Sequence, residues 1–268
     1  MLLRRVGVAA GVAVLLSGAA VQAQTSLGTA QSFAVLGGST VTNTGASVIG
    51  GDLGVSPGSA VTGFPPGILT PPGAIHAADA VAAQAQVSLT TQYNALASAA
   101  CTADLTGQNL GNRTITTGVY CFSTSAQLTG PLTLDAQGNA AATFVFKIGS
   151  TLTTASNSSV SMIGGNPCGV MWQIGSSATL GTTTSFVGNL IALTSITLNT
   201  GANIIGRALA RNGAVTLDTN NISFAPCNVG VPPPPVPTLT TWMMMVLVGL
   251  LALAGFATLR RRKSYDAM

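Results

Sequence analysis

The stretch VTLDT at residues 215–219 repeats an earlier stretch, ITLNT at residues 196–200. Related stretches are ATLGT at 178–182, STLTT at 150–154 and, as a partial copy, LTLDA at 132–136. In each copy a threonine directly precedes the leucine. These threonines stand at positions 133, 151, 179, 197 and 216, in steps of 18, 28, 18 and 19 residues. Repetition at about 18–20 residues predicts a β-solenoid with one coil per repeat, and the longer step predicts a loop inserted around Pro167.

Stacked coils also fix the direction of the side chains, because successive residues of a strand point to opposite faces. The leucines of the repeat are predicted to form an inward ladder of Leu134, Leu152, Leu180, Leu198 and Leu217. The threonines before them then form an outward column of Thr133, Thr151, Thr179, Thr197 and Thr216. The next outward column is Thr153, Gly181, Asn199 and Asp218. The residues that come next lie near a corner, where the sequence does not fix the direction of the side chain: Thr154, Thr182, Thr200 and Thr219.

Outward threonines on stacked coils predict a flat grid, with coils about 4.8 Å apart and residues two apart on a strand about 6.6–7 Å apart. The alternative explanation for these threonines is that threonine simply suits a half-buried strand. That explanation is weakened because the threonines keep one register over four or five coils. The residues predicted to contact a partner are Thr151, Thr153, Thr179, Thr182, Thr197, Asn199, Thr200, Thr216 and Thr219.

Both ends of the chain carry targeting signals. Residues 1–23 combine two arginines, an apolar run and a small-residue cleavage site, which predicts a secretory signal peptide; a transmembrane helix is the alternative. At the other end, residues 242–259 are uncharged and approach the roughly 20 residues that span a bilayer, which predicts a transmembrane helix. The basic stretch at 260–263 would stay cytoplasmic, and the Pro-rich stretch at 232–237 is a stiff spacer.

The segment between these signals, residues 24–231, is predicted to be one exported, monomeric domain with an aliphatic core. It is nearly neutral, so a nucleic-acid partner receives no support. Its basic residues are Arg113, Lys147, Arg207 and Arg211. Its acidic residues are Asp52, Asp79, Asp104, Asp135 and Asp218.

Four cysteines in an exported chain predict two disulfides, with free buried thiols as the weaker alternative. Of the three possible pairings we favour Cys101–Cys121 with Cys168–Cys227, because each closes one moderate loop. An Ala-rich stretch over about residues 74–100 predicts one long helix, since its apolar residues recur at three- and four-residue steps. That stripe is Ile75, Ala78, Val81, Ala82, Ala85, Leu89, Tyr93 and Leu96.

Catalytic chemistry has few residues to use. His76 is the sole histidine of the sequence and is interpreted as a solvated or locally bonded side chain. No G-x-S-x-G motif places a nucleophilic serine, and the aspartates are scattered. GGDLG at 50–54 is interpreted as a turn, and no spacing of metal ligands is present. The sequence therefore predicts no catalytic residue, cofactor or metal site.

Several blocks within about residues 26–227 carry a family resemblance: SFAVLGGSTVTNTGASVIGGDLGVSPG, LTGQNLGNRTITTGVYCF, FVFKIGSTLTT and NLIALTSITLNTGANIIGRALARNGAVTLDTNNI. Through these blocks the chain resembles the microbial ice-binding proteins. The tail, with VPTLTTW, the apolar run and RRRK over residues 236–268, is similar to the IPTL-CTERM sorting signal; Val236 stands where that signal has isoleucine.

The resemblance implies an irregular right-handed β-solenoid of triangular cross-section with the long helix packed alongside. It also implies adsorption to ice through a flat face with motifs of the Thr-Ala/Gly-x-Thr/Asn kind, although this chain has Leu at the second position. The tail implies an exosortase-like partner at a bacterial envelope, with the mature protein on the surface or released. Two alternatives to an ice-binding protein are a cell-surface or biofilm matrix protein of the same fold and a carbohydrate-processing β-helix enzyme.

Overall fold

The structure, a computed structural model, describes residues 26–224. The chain divides into two units, residues 1–227 and 228–268, and the description concerns the first. The predicted signal peptide, the Pro-rich spacer, the apolar run at 242–259, the basic tail and Cys227 lie outside the described residues. Within residues 26–224, no helix has the length and apolar character needed to cross a membrane.

The described residues form a mostly β fold with one α-helix, α1 (Ala80–Ser98), as predicted. Two short 3-10 helices cover Gly28–Ser32 and Pro167–Gly169. In chain order the strands are β1 (Phe33–Gly37), β2 (Thr40–Thr44), β3 (Val48–Gly50), β4 (Asp52–Val55), β5 (Ala60–Thr62), β6 (Ile68–Leu69), β7 (Ile75–Ala77), β8 (Ala103–Asp104), β9 (Arg113–Ile115), β10 (Gly118–Phe122), β11 (Ala126–Leu128), β12 (Pro131–Asp135), β13 (Phe144–Ile148), β14 (Leu152–Thr154), β15 (Ser159–Ile163), β16 (Val170–Ile174), β17 (Ala178–Leu180), β18 (Ser185–Ala192), β19 (Ile196–Leu198), β20 (Asn203–Ala210), β21 (Val215–Asp218) and β22 (Asn221–Ser223).

The strands stack in parallel, coil upon coil. Three successive strands make one coil, so that β13, β14 and β15 pair with β16, β17 and β18 of the next. One sheet contains seven strands in the order β11-β14-β17-β19-β21-β2-β5. The remaining fifteen strands of the described residues form the second sheet. Short strands joined by Gly, Asn and Ser turns therefore produce a ladder in which each inner coil is hydrogen-bonded to a coil on either side.

Two glycines allow the longest strands to turn a corner. The start of β18 pairs with β15 and its end pairs with β16, so the strand bends between them. Gly188 in β18 stands opposite Gly206 in β20, and their φ angles are 117° and 146°. A Cβ atom on Gly206 would lie 2.0 Å from the Gly188 carbonyl oxygen, so only glycine fits this corner.

The chain does not run through the stack from one end to the other. The first coil, β1–β3, pairs on one side with β4–β6. On its other side it pairs with the last strands of the domain, β20, β21 and β22. Helix α1 leads from β7 to β8, which stands at the far edge of the second sheet, and the remaining coils return from there. The first and last coils are therefore neighbours.

Helix α1 begins at Ala80, six residues after the predicted start. Residues 75–77 instead form strand β7, which pairs with β4, and Ala78 has a φ of 54°. The carboxylate of Asp79 then caps the helix by accepting a hydrogen bond of 2.8 Å from the Ala82 amide. The helix buries Ala82, Ala85, Leu89, Gln92, Tyr93 and Leu96. Ile75 and Val81, which the predicted apolar stripe included, are exposed.

The helix packs on the second sheet through an apolar cluster of its own. Leu89 and Leu96 contact a cluster that includes Val145, Met171 and Leu209, and each fully buried leucine contributes about 1.5–3 kcal/mol. Inside the coils, aromatic residues of successive strands stack on one another. The ring of Phe146 lies 3.7 Å from that of Trp172, whose indole donates a hydrogen bond to the Val187 carbonyl. One cluster therefore fills the inside of the coils, and the other holds the helix against the second sheet.

A disulfide joins Cys101 and Cys121, which were one of the two favoured pairs. It ties the segment after α1 to strand β10, twenty residues later. Cys168 also takes part in a disulfide. The pairing of Cys168 with Cys227 stays a prediction, because Cys227 lies outside the described residues.

Candidate functional site

The seven-stranded sheet carries a column of threonines in register. Pairing of the strands places the following residues side by side, in strand order: Gln127, Thr153, Thr179, Thr197, Thr216, Thr42 and Thr62. All seven are exposed or half-buried. We call the outward residues of this sheet the threonine face, and this column its central column.

Buried neighbours fix the outward direction of the central column. The residues before the threonines of five strands are fully buried: Leu152, Ala178, Ile196, Val215 and Val41. The residues after three of these threonines are the buried leucines Leu180, Leu198 and Leu217, and the buried Leu128 follows Gln127 in the same way. Because side chains alternate along a strand, the threonine between two buried residues points to solvent. The inward leucines and outward threonines of β17, β19 and β21 thus have the predicted directions.

Two further outward columns flank the central one. The first lies two residues before it on each strand, and the second lies two residues after it. The first flanking column contains Ser125, Thr151, Ser177, Ser195, Ala214, Thr40 and Ala60. Backbone hydrogen bonds support it, such as those from Ala126 to Thr151 and from Ile196 to Ala214. The second flanking column contains Thr129, Ala155, Gly181, Asn199, Asp218 and Thr44, of which Gly181 is buried.

The threonine face is long, narrow and almost free of charge. Seven strands about 4.8 Å apart give a length of about 29 Å, and three columns give a width of about 13–14 Å. Small side chains keep it flat, since serine, alanine and threonine fill most positions. Among its outward residues, all of which the structure describes, Asp218 alone carries a charge.

The structure moves several predicted residues within the face. Thr151 belongs to the first flanking column rather than to the column of Thr179, because Thr153 is the partner of Thr179. The coil that contains the 167–169 turn is therefore 26 residues long at this point rather than 28. The hydroxyl of Thr151 donates a hydrogen bond of 2.8 Å to Ser125, its neighbour in the same column.

Thr133 and Thr154 leave the face altogether. Thr133 lies in β12 of the second sheet, where it pairs with Thr114 and Ser161. Thr154 is buried, and its hydroxyl lies 2.9 Å from that of Thr184 and accepts a hydrogen bond from the Gly181 amide. The LTLDA copy is therefore a strand of the same composition on another side of the coil. Thr154 takes an inward position that leucines occupy in β11, β17, β19 and β21.

The corner beside the face has a ladder of left-handed residues. Asn157, Thr183, Gly201, Thr219 and Gly45 have φ angles of 58°, 58°, 71°, 54° and 80°. Backbone hydrogen bonds connect their levels, for example from Gly201 to Asp218 and from Thr219 to Thr44. Thr219 is thus level with Thr183 and Gly201, whereas Thr200 is level with Thr182. Positive φ is uncommon for a β-branched residue such as threonine.

Sequence reasoning missed the N-terminal part of the face. Thr42 and Thr62 stand in the central column, with Thr40 and Thr44 beside them. The hydroxyls of Thr42 and Thr216 lie 3.4 Å apart, although 174 residues separate them in the chain. A local signal was present, because TVTNT at 40–44 alternates with period two and Thr42 precedes Thr62 by 20 residues.

Two other features of residues 26–224 bear on catalysis and metal binding, the His76 side chain and a groove on the second sheet. The ring of His76 contacts the carboxylate of Asp79 at 2.7 Å, so it has the local bond that the sequence interpretation gave it. A groove of about 360 Å³ on the second sheet is lined by residues such as Ser185, Val187 and Ile205, and no titratable side chain lines it. Within residues 26–224, no three His, Cys, Asp or Glu residues come together as a metal site would require.

Comparison with known proteins agrees with the sequence resemblance. Residues 35–223 match the sequence profile of the family described as Ice-binding-like. An ice-binding protein of Nostoc sp. (strain HG1) is 64% identical over 200 residues, which are 74% of each chain.

Solved structures of ice-binding proteins share the fold. One from an Antarctic biological consortium is 48% identical, covers 77% of this chain and 93% of its own, and has a TM-score of 0.73. One from the Antarctic ascomycete Antarctomyces psychrotrophicus is 40% identical, covers 74% of this chain and 97% of its own, and has a TM-score of 0.71.

Proposed function

Because the chain belongs to the Ice-binding-like family, we propose that it binds ice, that it adsorbs through the threonine face, and that it thereby inhibits ice growth or recrystallisation. The observation that carries this proposal is the central column, in which six threonines of six neighbouring strands keep one register. A parallel ladder repeats each methyl and hydroxyl at the strand spacing, and adsorption to a crystal lattice requires such a repeat.

Rigidity supports adsorption through many weak contacts. The face lies directly over a fully buried ladder, so its threonines have little freedom to lose when they meet a surface. Their methyl groups remove apolar area from liquid water, and their hydroxyls exchange hydrogen bonds with water for hydrogen bonds with ice. A highly charged face would hold its own hydration shell and resist adsorption. The threonine face carries a single carboxylate, that of Asp218, so this obstacle is small.

The candidate contact residues are those of the predicted set together with Thr42 and Thr62. The predicted set is Thr151, Thr153, Thr179, Thr182, Thr197, Asn199, Thr200, Thr216 and Thr219. All nine lie on the face or on the corner that adjoins it. Right-handed winding and a triangular cross-section belong to this proposal, because three strands make each coil and parallel crossovers are right-handed in almost every protein.

Export belongs to the proposal as well. Residues 1–23 would direct the chain out of the cytoplasm, and residues 236–268 would be recognised by an exosortase-like enzyme at a bacterial envelope. The mature domain, predicted at 24–231, would act as a monomer on the surface or in the medium. An enzyme is not proposed, since the described residues that carry titratable groups do not converge in a cleft.

The test is a protruding substitution in the middle of the face. Thr197→Tyr and Thr197→Lys are each compared with the same change at Ser161, an exposed strand residue of the second sheet. A gap of about 0.5–1 Å already forfeits a quarter to a half of a van der Waals contact, so a side chain that lifts the face should abolish most of them. We expect ice adsorption and thermal hysteresis to fall sharply for the Thr197 variants alone, with circular dichroism unchanged.

Two other results would redirect the proposal. Loss of activity in the Ser161 variants, with Thr197 variants active, would place the ice-binding surface on the second sheet. Absence of adsorption in the unmodified chain would favour the alternative function, a structural protein of the cell surface or biofilm matrix.

A further inference from the structure

Asp218 is the one charged side chain of the threonine face, and its contacts are unusual. The face otherwise consists of uncharged side chains, and among the described residues no basic group forms an ion pair with Asp218. Its two carboxylate oxygens instead accept hydrogen bonds from two threonine hydroxyls. Oδ2 accepts from Thr200, and Oδ1 accepts from Thr219 at 3.0 Å.

These two bonds fix how Thr200 and Thr219 meet water. A threonine hydroxyl has a single proton, and each of these protons is directed at the carboxylate. Both hydroxyl oxygens therefore keep only lone pairs for their surroundings, and they accept hydrogen bonds without donating any. Thr200 and Thr219 are exposed at the edge of the face, where such oriented acceptors adjoin the central column.

The surrounding backbone holds this arrangement in place. The Asp218 amide donates a hydrogen bond of 2.6 Å to the Asn220 side chain, and the Thr219 amide donates one of 2.9 Å to the Thr44 carbonyl. Thr219 adopts a φ of 54°, which a β-branched residue rarely does without compensation. The carboxylate stabilises this threonine by accepting a hydrogen bond from its hydroxyl group.

We propose that Asp218 is a positioning residue for ice adsorption, which locks the hydroxyls of Thr200 and Thr219 as acceptors and so extends the ordered grid beyond the central column. This inference rests on the proposed function and deepens it. It assigns the carboxylate a role through its two neighbours rather than through direct contact with ice. A strongly hydrated carboxylate would by itself weaken adsorption, whereas one that engages two hydroxyls has part of its hydration replaced.

The size of the effect follows from the freedom of the hydroxyls. A hydroxyl released from the carboxylate can occupy three staggered positions instead of one. Adsorption that again requires one position for both hydroxyls therefore lowers the adsorption constant by up to about ninefold. Asp218→Ala should therefore weaken adsorption of the full-length chain by up to about ninefold. Asp218→Asn should weaken it by about threefold, because the amide oxygen still accepts from one hydroxyl while the amide nitrogen donates to the other.

A coupling measurement separates positioning from a merely structural role. The background variant is Thr200→Val with Thr219→Gly, which removes both hydroxyls and gives residue 219 a backbone suited to positive φ. In this background Asp218→Ala should no longer weaken adsorption; any change should be a gain, because the carboxylate has lost both hydroxyl partners and keeps its own hydration. Adsorption of labelled protein to ice is the measurement, and thermal unfolding followed by circular dichroism is the control for the fold.

Each outcome decides the matter. Stronger or unchanged adsorption by Asp218→Ala, or an equal loss with and without the two hydroxyls, would overturn the positioning role. Thr197→Tyr is measured alongside. If it also leaves adsorption unchanged, the proposed face itself is wrong; if it abolishes adsorption while Asp218→Ala does not weaken it, only the role of Asp218 is wrong.

Discussion

The contribution of the threonine methyl groups can be separated from that of the hydroxyls in the middle of the face. Thr179, Thr197 and Thr216 stand on three adjacent strands of the central column. Replacing all three by serine removes the methyls and keeps the hydroxyls. Replacing all three by valine keeps a β-branched shape and removes the hydroxyls.

The serine variant should lose more affinity than the valine variant. A buried methyl group contributes about 0.8 kcal/mol, so three contribute up to about 2.4 kcal/mol, or roughly 60-fold in the adsorption constant. Thr179 and Thr197 are already half-buried in the free protein, which makes this figure an upper value. A hydroxyl facing ice exchanges one water partner for another, so its net contribution lies at the lower end of the usual range, about 0.5 kcal/mol each or about 1.5 kcal/mol for three. Valine also puts a second methyl in place of each hydroxyl, which offsets part of that loss.

The assay is adsorption of labelled full-length chain to ice as a function of protein concentration. Thr114→Ser and Thr114→Val provide the matched control, since Thr114 is an exposed strand residue of the second sheet. Serine has the lower β-propensity, so thermal unfolding is measured to show that the fold persists. A valine variant that binds more weakly than the serine variant would refute the reasoning and make the hydroxyls the dominant contacts.

Three further predictions concern the scaffold. Replacing Cys101 and Cys121 by serine opens a loop of 20 residues, and should lower the unfolding free energy by about 3 kcal/mol in denaturant titration. The hydrogen bond from the Ala82 amide, followed by that with His76, lowers the pKa of Asp79 below its ordinary 3.8. The contribution of the Asp79 carboxylate to the stability of the fold is therefore complete above pH 3.8 and is lost as the pH falls through the lowered pKa. Thermal unfolding measured against pH should show this loss in the unmodified chain, and the Asp79→Asn variant should not show it. Residues 24–231 should fold under oxidising conditions and sediment as a monomer; an unfolded product would contradict the predicted bounds.

The local pattern was sufficient to predict the coils of the C-terminal half. Alternation around Leu180, Leu198 and Leu217 fixes which side of each strand is buried, and the step of 18–19 residues fixes their register. The register of the coil before them depended on the length of its loop, which only pairing across strands determines. As a result Thr151 was assigned two residues away from its position.

The start of the helix shows a different limit. Alanine-rich sequence continues upstream of Ala80, but residues 75–77 gain a strand partner in β4, and backbone pairing overrides the helical pattern there. Asp79 offered a local cap signal that the apolar stripe obscured. The alternation of TVTNT marks β2 as a strand, but nothing local indicates that β2 pairs with β21, because the two strands lie at opposite ends of the domain sequence.

The threonine face is therefore built from two separate chain segments that meet between β21 and β2. Without the N-terminal strands the face would contain five strands rather than seven, or about 19 Å of length in place of about 29 Å. The helix of 19 residues, about 28 Å long, is the connection that makes this possible, since it returns the chain along nearly the full stack. Arg207 reinforces the junction, because its buried guanidinium donates to the Gln31 carbonyl and packs over the Phe224 ring. Asp218 and Thr216 lie on one side of this seam and Thr44 and Thr42 on the other, so the continuity of the face depends on contacts that form only when both ends of the domain have folded together.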